Sequence, residues 1–106
     1  MLKNNLAIGN SDYDFDADAN FSTDSSNNCS SDGSAASAFE TDGITGASEN
    51  DFVLAAGGNY HIKSDATCAN EGTNLASDPD LSFSTDIDLQ QRDDGSWDIG
   101  ADEYFP

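Results

Sequence analysis

Aspartate occupies every second position from Asp12 to Asp18, with Tyr13, Phe15, Ala17 and Ala19 interleaved. An extended strand sends successive side chains to opposite faces, so Asp12, Asp14, Asp16 and Asp18 would share one face. Like charges two residues apart repel. A hard, oxygen-preferring cation such as calcium would turn that repulsion into coordination, the alternative being an acidic face solvated by water. An EF-hand is excluded, because a loop starting at Asp12 puts Ala17 where the sharp-turn glycine belongs and Thr23 where the bidentate glutamate belongs. Starting at Asp14 gives Ala19 and Ser25 instead. A second concentration of acid comprises Asp86, Asp88, Asp93, Asp94, Asp98, Asp102 and Glu103, around the sole arginine, Arg92. Asp86 and Asp88 make a second candidate cation site. Arg92 is expected to act as a structural fork, paired with Asp98 or Glu103, and not as a catalytic base.

The remaining chemistry-bearing residues offer less. His61 is the sole histidine, and alternation in Tyr60-His61-Ile62-Lys63 sets it on the solvent side with Lys63. There is no second histidine for a facial metal triad, no glycine-rich phosphate loop and no nucleophile elbow around any serine. With 21 carboxyl side chains, a pair at glycosidase separation carries no information. No catalytic residue is therefore expected. Asn20-Phe21-Ser22 and Asn28-Cys29-Ser30 match the N-glycosylation acceptor pattern at Asn20 and Asn28. Cys29 and Cys68 lack the clustered partners that zinc requires. They fit either two free thiols in a reducing compartment or a bridge closing a loop of about 40 residues in an oxidising one.

Composition limits what can position these groups. Only 18 of 106 residues are Leu, Ile, Val or Phe, and the formal net charge is −18. One small core is the most such a chain can bury, and without help this balance favours disorder. Cations, a disulfide or contacts with further copies must supplement it. Three basic residues cannot neutralise a phosphate backbone, which excludes nucleic acid as a partner. Asp, Asn, Ser and Gly make up 50 residues, a mixture that favours turns and disfavours long helices. Neither a transmembrane span nor a signal peptide is visible.

A weak repeat runs through the first half. The pair Asn4-Asn5 recurs as Asn27-Asn28 after 23 residues, and Asn50-Asp51 follows 22 residues after Asn28. A period slightly above twenty matches one coil of a parallel β-helix. Strand-like runs fall at Leu6–Ile8, Asp12–Phe21, Asp51–Ala55 and Tyr60–Lys63, with a single helical turn expected around Ser34–Phe39.

Asn59-Tyr60-His61-Ile62-Lys63-Ser64, Cys68-Ala69-Asn70-Glu71-Gly72-Thr73, Asp86-Ile87-Asp88, Arg92 and, most specifically, Gly95-Ser96-Trp97-Asp98-Ile99-Gly100-Ala101-Asp102-Glu103-Tyr104 together resemble the terminal segment of secreted bacterial right-handed parallel β-helix proteins of the pectate-lyase-like group. The resemblance implies an all-β fold: a short right-handed parallel β-helix, or β-solenoid, with an irregular C-terminal segment. It spans a single domain, residues 1–106, with coil repeats over about 1–55 and the terminal segment over 56–106. An exported family also implies the Cys29–Cys68 bridge. Ala66-Thr67 replaces the family's usual Ser-Pro, and the coils that carry a substrate groove are absent.

Three functions follow as expectations. The first is a non-catalytic extracellular structural module, stabilised by calcium and assembling head-to-tail with other copies into fibres. The second is a carbohydrate-contacting or adhesion module in which Tyr13, Tyr60, Trp97 and Tyr104 stack on polysaccharide. The third is the C-terminal piece of a β-helical polysaccharide lyase.

Overall fold

A computed structural model describes residues 1–16, 21–39, 42–92 and 95–105. Three short strands, β1 (Leu6–Ala7), β2 (Cys29–Ser30) and β3 (Ile44–Thr45), pair in parallel in sequence order. Their register sets Leu6 beside Cys29 and Cys29 beside Ile44, and a bridge between Lys3 and Ser26 extends the first pairing. The first step is thus the 23 residues that the repeated asparagines foretell. Asn4 and Asn27 both adopt left-handed backbone, φ 58° and 53°, a conformation asparagine tolerates better than other side-chain-bearing residues.

The second step is only 15 residues, and here the solenoid expectation fails. The column Asn5, Asn28 continues at Gly43, where a Cβ would lie 2.2 Å from the carbonyl oxygen of Ala35. That carbonyl belongs to a one-turn helix, α1 (Ser34–Ala38), which shortens the connection between β2 and β3. The third copy, at Asn50-Asp51, does not join the parallel ladder. Its Asn50 and Asp51 lie in a 3-10 turn capped by Ser48, leading into β4 (Phe52–Leu54). β4 turns back at Gly58, φ 81°, and pairs antiparallel with β5 (Asn59–Ile62). The fold is therefore a three-stranded parallel sheet plus a two-stranded antiparallel one, without solenoid stacking among the described residues.

Alternation in β1 distributes its side chains between cores. Leu6 and Ile8 pack with Ile44 on the cluster Cys29, Ala47, Cys68 and Ile99, and also reach Phe52, Ile62 and Ala66. Ala7 faces the other way, towards Phe15, Ala35 and Phe39. A Cys29–Cys68 disulfide, Cα–Cα 6.4 Å, joins the parallel sheet to the second half of the chain. Closing a loop with that 39-residue separation stabilises by about 4 kcal/mol in the chain-entropy account. After β5 the described residues form no further strand, only a bridge between Thr85 and Gln91. Trp97 and Ile99 nonetheless bury it, at 1% and 0% exposure. No helix among the described residues is long and apolar enough to cross a membrane.

Candidate functional site

The expected carboxylate face does not form over Asp12–Asp16, because this stretch is bent and not extended. Phe15 goes into the core, edge-on to Phe39 with centroids 4.9 Å apart. Asp14 turns to the loop after β2. Its carboxylate accepts hydrogen bonds from Ser31 N (2.7 Å), Ser31 Oγ (2.5 Å) and Asp32 N on one oxygen, and from Asn10 N and Nδ2 on the other. Desolvation pushes its pKa up, but those donors, Ser31 foremost, outweigh it and hold the carboxyl at about 2. Asp14 is thus a pin between two loops. Asp12 and Asp16 are exposed, and Asp18 lies outside the described residues, as does Asn20. The other candidate glycan acceptor, Asn28, is fully buried; its Nδ2 donates to Leu2 O and its Oδ1 accepts from Asn5. No glycan fits there in this fold.

Arg92 is 5% exposed and sits between the rings of Phe83 and Trp97, 5.7 and 5.3 Å from their centroids. Its guanidinium donates to Glu103 Oε2 (2.8 Å) and to the carbonyls of Asp98 and Gly100. Asp98 contributes its carbonyl but not its carboxylate, which instead accepts from Asn70 N and Tyr104 N. Every partner is structural: the cation holds the terminal segment in a loop. Trp97 donates to Arg92 O and is too buried to stack on a sugar.

Between β1, the β4–β5 hairpin and the segments at 83–87 and 100–102 lies an open hollow of about 1030 Å³. Leu6, Ile8, Phe52, Tyr60, Phe83 and Ile87 give it an apolar wall. Tyr60 meets Phe52 edge-on but remains 59% exposed, and Ile87 is 66% exposed. In a chain of net charge −18 such exposed apolar surface is unexpected.

At one side of the hollow, β5 presents His61, the turn after Ile87 presents Asp88, and the terminal segment presents Asp102. Their ligand atoms all lie within 4.8 Å of one another. His61 Nε2 is 2.7 Å from Asp88 Oδ2. Asp102 is nearly buried and accepts from Ile62 N through Oδ2. Behind them stands Asp86, 5% exposed, whose Oδ1 accepts from Asp88 N and Gln90 N. The hydrogen bond to Asp88 raises the His61 pKa above its ordinary value, helped by the charges of Asp102, Asp88 and Asp86. Burial raises that of Asp102, against the Ile62 amide and the neighbouring imidazole.

Of the expected cation ligands, the structure brings Asp88 into this cluster with Asp86 beside it, and leaves Asp12–Asp16 elsewhere. His61 is solvent-exposed, as strand alternation implied, yet it is engaged. Its meeting with Asp88 and Asp102, 27 and 41 positions away, has no local sequence signal. Comparison with protein-family models, with curated proteins and with solved structures gives no match.

Proposed function

We propose that this chain is a non-catalytic structural module of the extracellular space that associates with further copies of itself through the apolar hollow. The hollow, open and walled by Leu6, Ile8, Phe52, Tyr60, Phe83 and Ile87, is the observation that carries the reading. Leu89, 81% exposed at the tip of the turn between Thr85 and Gln91, offers the complementary knob. A knob and a hollow are different surfaces, so their contact is head-to-tail and extends unless a ring closes. The disulfide and the resemblance of the terminal segment to secreted proteins support an oxidising location. Copies of charge −18 repel, so association calls for divalent cations such as calcium, or for high salt.

Sedimentation velocity over a range of concentrations, with and without calcium, tests this. The expected outcome is a mass that grows with concentration and with calcium, reduced to monomer by Leu89→Lys or Ile87→Lys. Monomers throughout, at millimolar chain and with calcium, would end the reading. A second reading, contact with polysaccharide, is favoured by the exposed ring of Tyr60 beside Asn59. Retardation of the native chain, but not of Tyr60→Ala, in gels containing a neutral polysaccharide would support it.

A further inference from the structure

The contact between His61 and Asp88 poses a question of charge. The backbone N–H of His61 donates to Asn59 Oδ1 at 3.2 Å, so that atom is an oxygen acceptor. His61 Nδ1 lies 2.7 Å from the same oxygen and must therefore carry the hydrogen that it donates. In the neutral ring this leaves Nε2 as a bare lone pair, 2.7 Å from the carboxylate oxygen of Asp88. Two acceptors at 2.7 Å require a proton between them, and a metal ion held by both would replace it and part them to about 3.3 Å, as two ligands at about 2.0 Å do in a tetrahedral site.

Several features equip the same groups to exchange that proton for a metal ion. Asp102 keeps one carboxylate oxygen beyond the one bound to the Ile62 amide, and its ligand atom lies within 4.8 Å of both others. Asp86 is buried, and its Oδ2 has no hydrogen-bond partner. A carboxylate oxygen held from water without a donor is costly, and its charge acts on both His61 and Asp102. With a neutral imidazole, the four side chains concentrate three negative charges. The fixed Nδ1–H donation to an amide oxygen is also how metal-bound histidines are commonly oriented.

We propose that His61 Nε2, Asp88 and Asp102 bind one zinc-class divalent ion, with Asp86 supplying negative charge behind them and Asn59 orienting the imidazole. An imidazole ligand selects for first-row transition ions over calcium, which takes six to eight oxygens. Three protein ligands leave a fourth tetrahedral position for water or an outside group. This site is independent of the self-association reading, since it requires one chain only.

Titration calorimetry of the whole disulfide-bonded chain with Zn²⁺ and, separately, with Ca²⁺ tests it, alongside nitrogen chemical shifts of the His61 ring. One Zn²⁺ per chain is expected, bound at least about 100-fold more tightly than Ca²⁺, with the Nε2 resonance shifted and Nδ1 still protonated. His61→Ala and Asp88→Asn alter exposed side chains, so the fold persists, and each should weaken Zn²⁺ binding by at least about tenfold. Asn59→Ala should weaken it by roughly 10-fold through loss of ring orientation, while Asp24→Asn, at a distant exposed acid, should leave it unchanged. Equal affinity for the two ions, an unshifted Nε2, or Zn²⁺ binding indifferent to His61→Ala would overturn the proposal.

Discussion

The described residues of 2–47 are held by many small, repeated hydrogen bonds, whereas those of 83–104 are gathered around one buried cation. In the first region Ser26, Cys29 and Ser31 donate backbone bonds to Leu2, Asn5 and Ala7, and Asn28 fastens its side chain to Leu2 and Asn5 alongside. Ser25 Oγ, Ser31 Oγ and Ser34 Oγ add further rungs to Leu2, Gly9 and Phe15. In the second region, Arg92 gathers Glu103, Asp98 and Gly100 between two aromatic rings. A chain poor in apolar residues can thus distribute its order or concentrate it. Distribution limits the damage from any one loss, and concentration does not.

The sharpest break of that contrast is Arg92→Met. Removing the cation of an ion pair whose side chains are 1% and 0% exposed takes the countercharge from the buried Glu103 carboxylate, at a cost of roughly 3–5 kcal/mol. Urea unfolding followed by Trp97 fluorescence should register it as a large fall in midpoint.

Asn28→Ala tests the distributed region. It removes three side-chain hydrogen bonds at a fully buried position, yet neighbouring rungs remain, and the expected loss is roughly 2 kcal/mol. A loss equal to that of Arg92→Met, in the same unfolding experiment, would abolish the distinction.

The smallest effect is a matter of pH. Asp14 has a folded pKa of about 2 against an ordinary 3.8, so its contribution is full above about pH 4 and fades as pH falls towards 2. Asp32, held below its ordinary value mainly by the Ser34 hydroxyl and amide, acts in the same direction. The stability difference between the native chain and Asp14→Asn should be flat above pH 4 and shrink below it, as read from thermal midpoints. A difference that instead grew on acidification would contradict the pin.

These contrasts also explain what could be read in advance. The repeated Asn pair announced the first parallel step because its first members, Asn4 and Asn27, set the left-handed backbone while its second members, Asn5 and Asn28, hydrogen-bond across the rung. The second step was hidden, since its signal is a glycine made necessary by close approach of α1, and Gly43 resembles any other turn glycine. Over Asp12–Asp16 the alternation makes no strand for a related reason. Strict alternation specifies a strand only if a partner strand exists, and here Asp14 finds better donors in Ser31, Asp32 and Asn10. Arg92 and Glu103 were legible as a pair because a lone arginine among acids has few alternatives. The His61, Asp88 and Asp102 cluster was not, since three segments distant in sequence create it.

The covalent link between Cys29 and Cys68 also governs how the molecule answers a pull. Force applied at the two ends travels through the sulfur bridge and bypasses the intervening chain, so the 39-residue separation is excluded from the stretched length. At about 3.3–3.6 Å per residue, roughly 130 Å of slack stays hidden until the bridge is reduced. The β4–β5 hairpin and β3 both fall inside that shielded stretch, whereas β1, His61's partner Asp88 and the Arg92 loop lie outside it. Under tension the oxidised chain would therefore give up its outer segments while the hairpin carries no load.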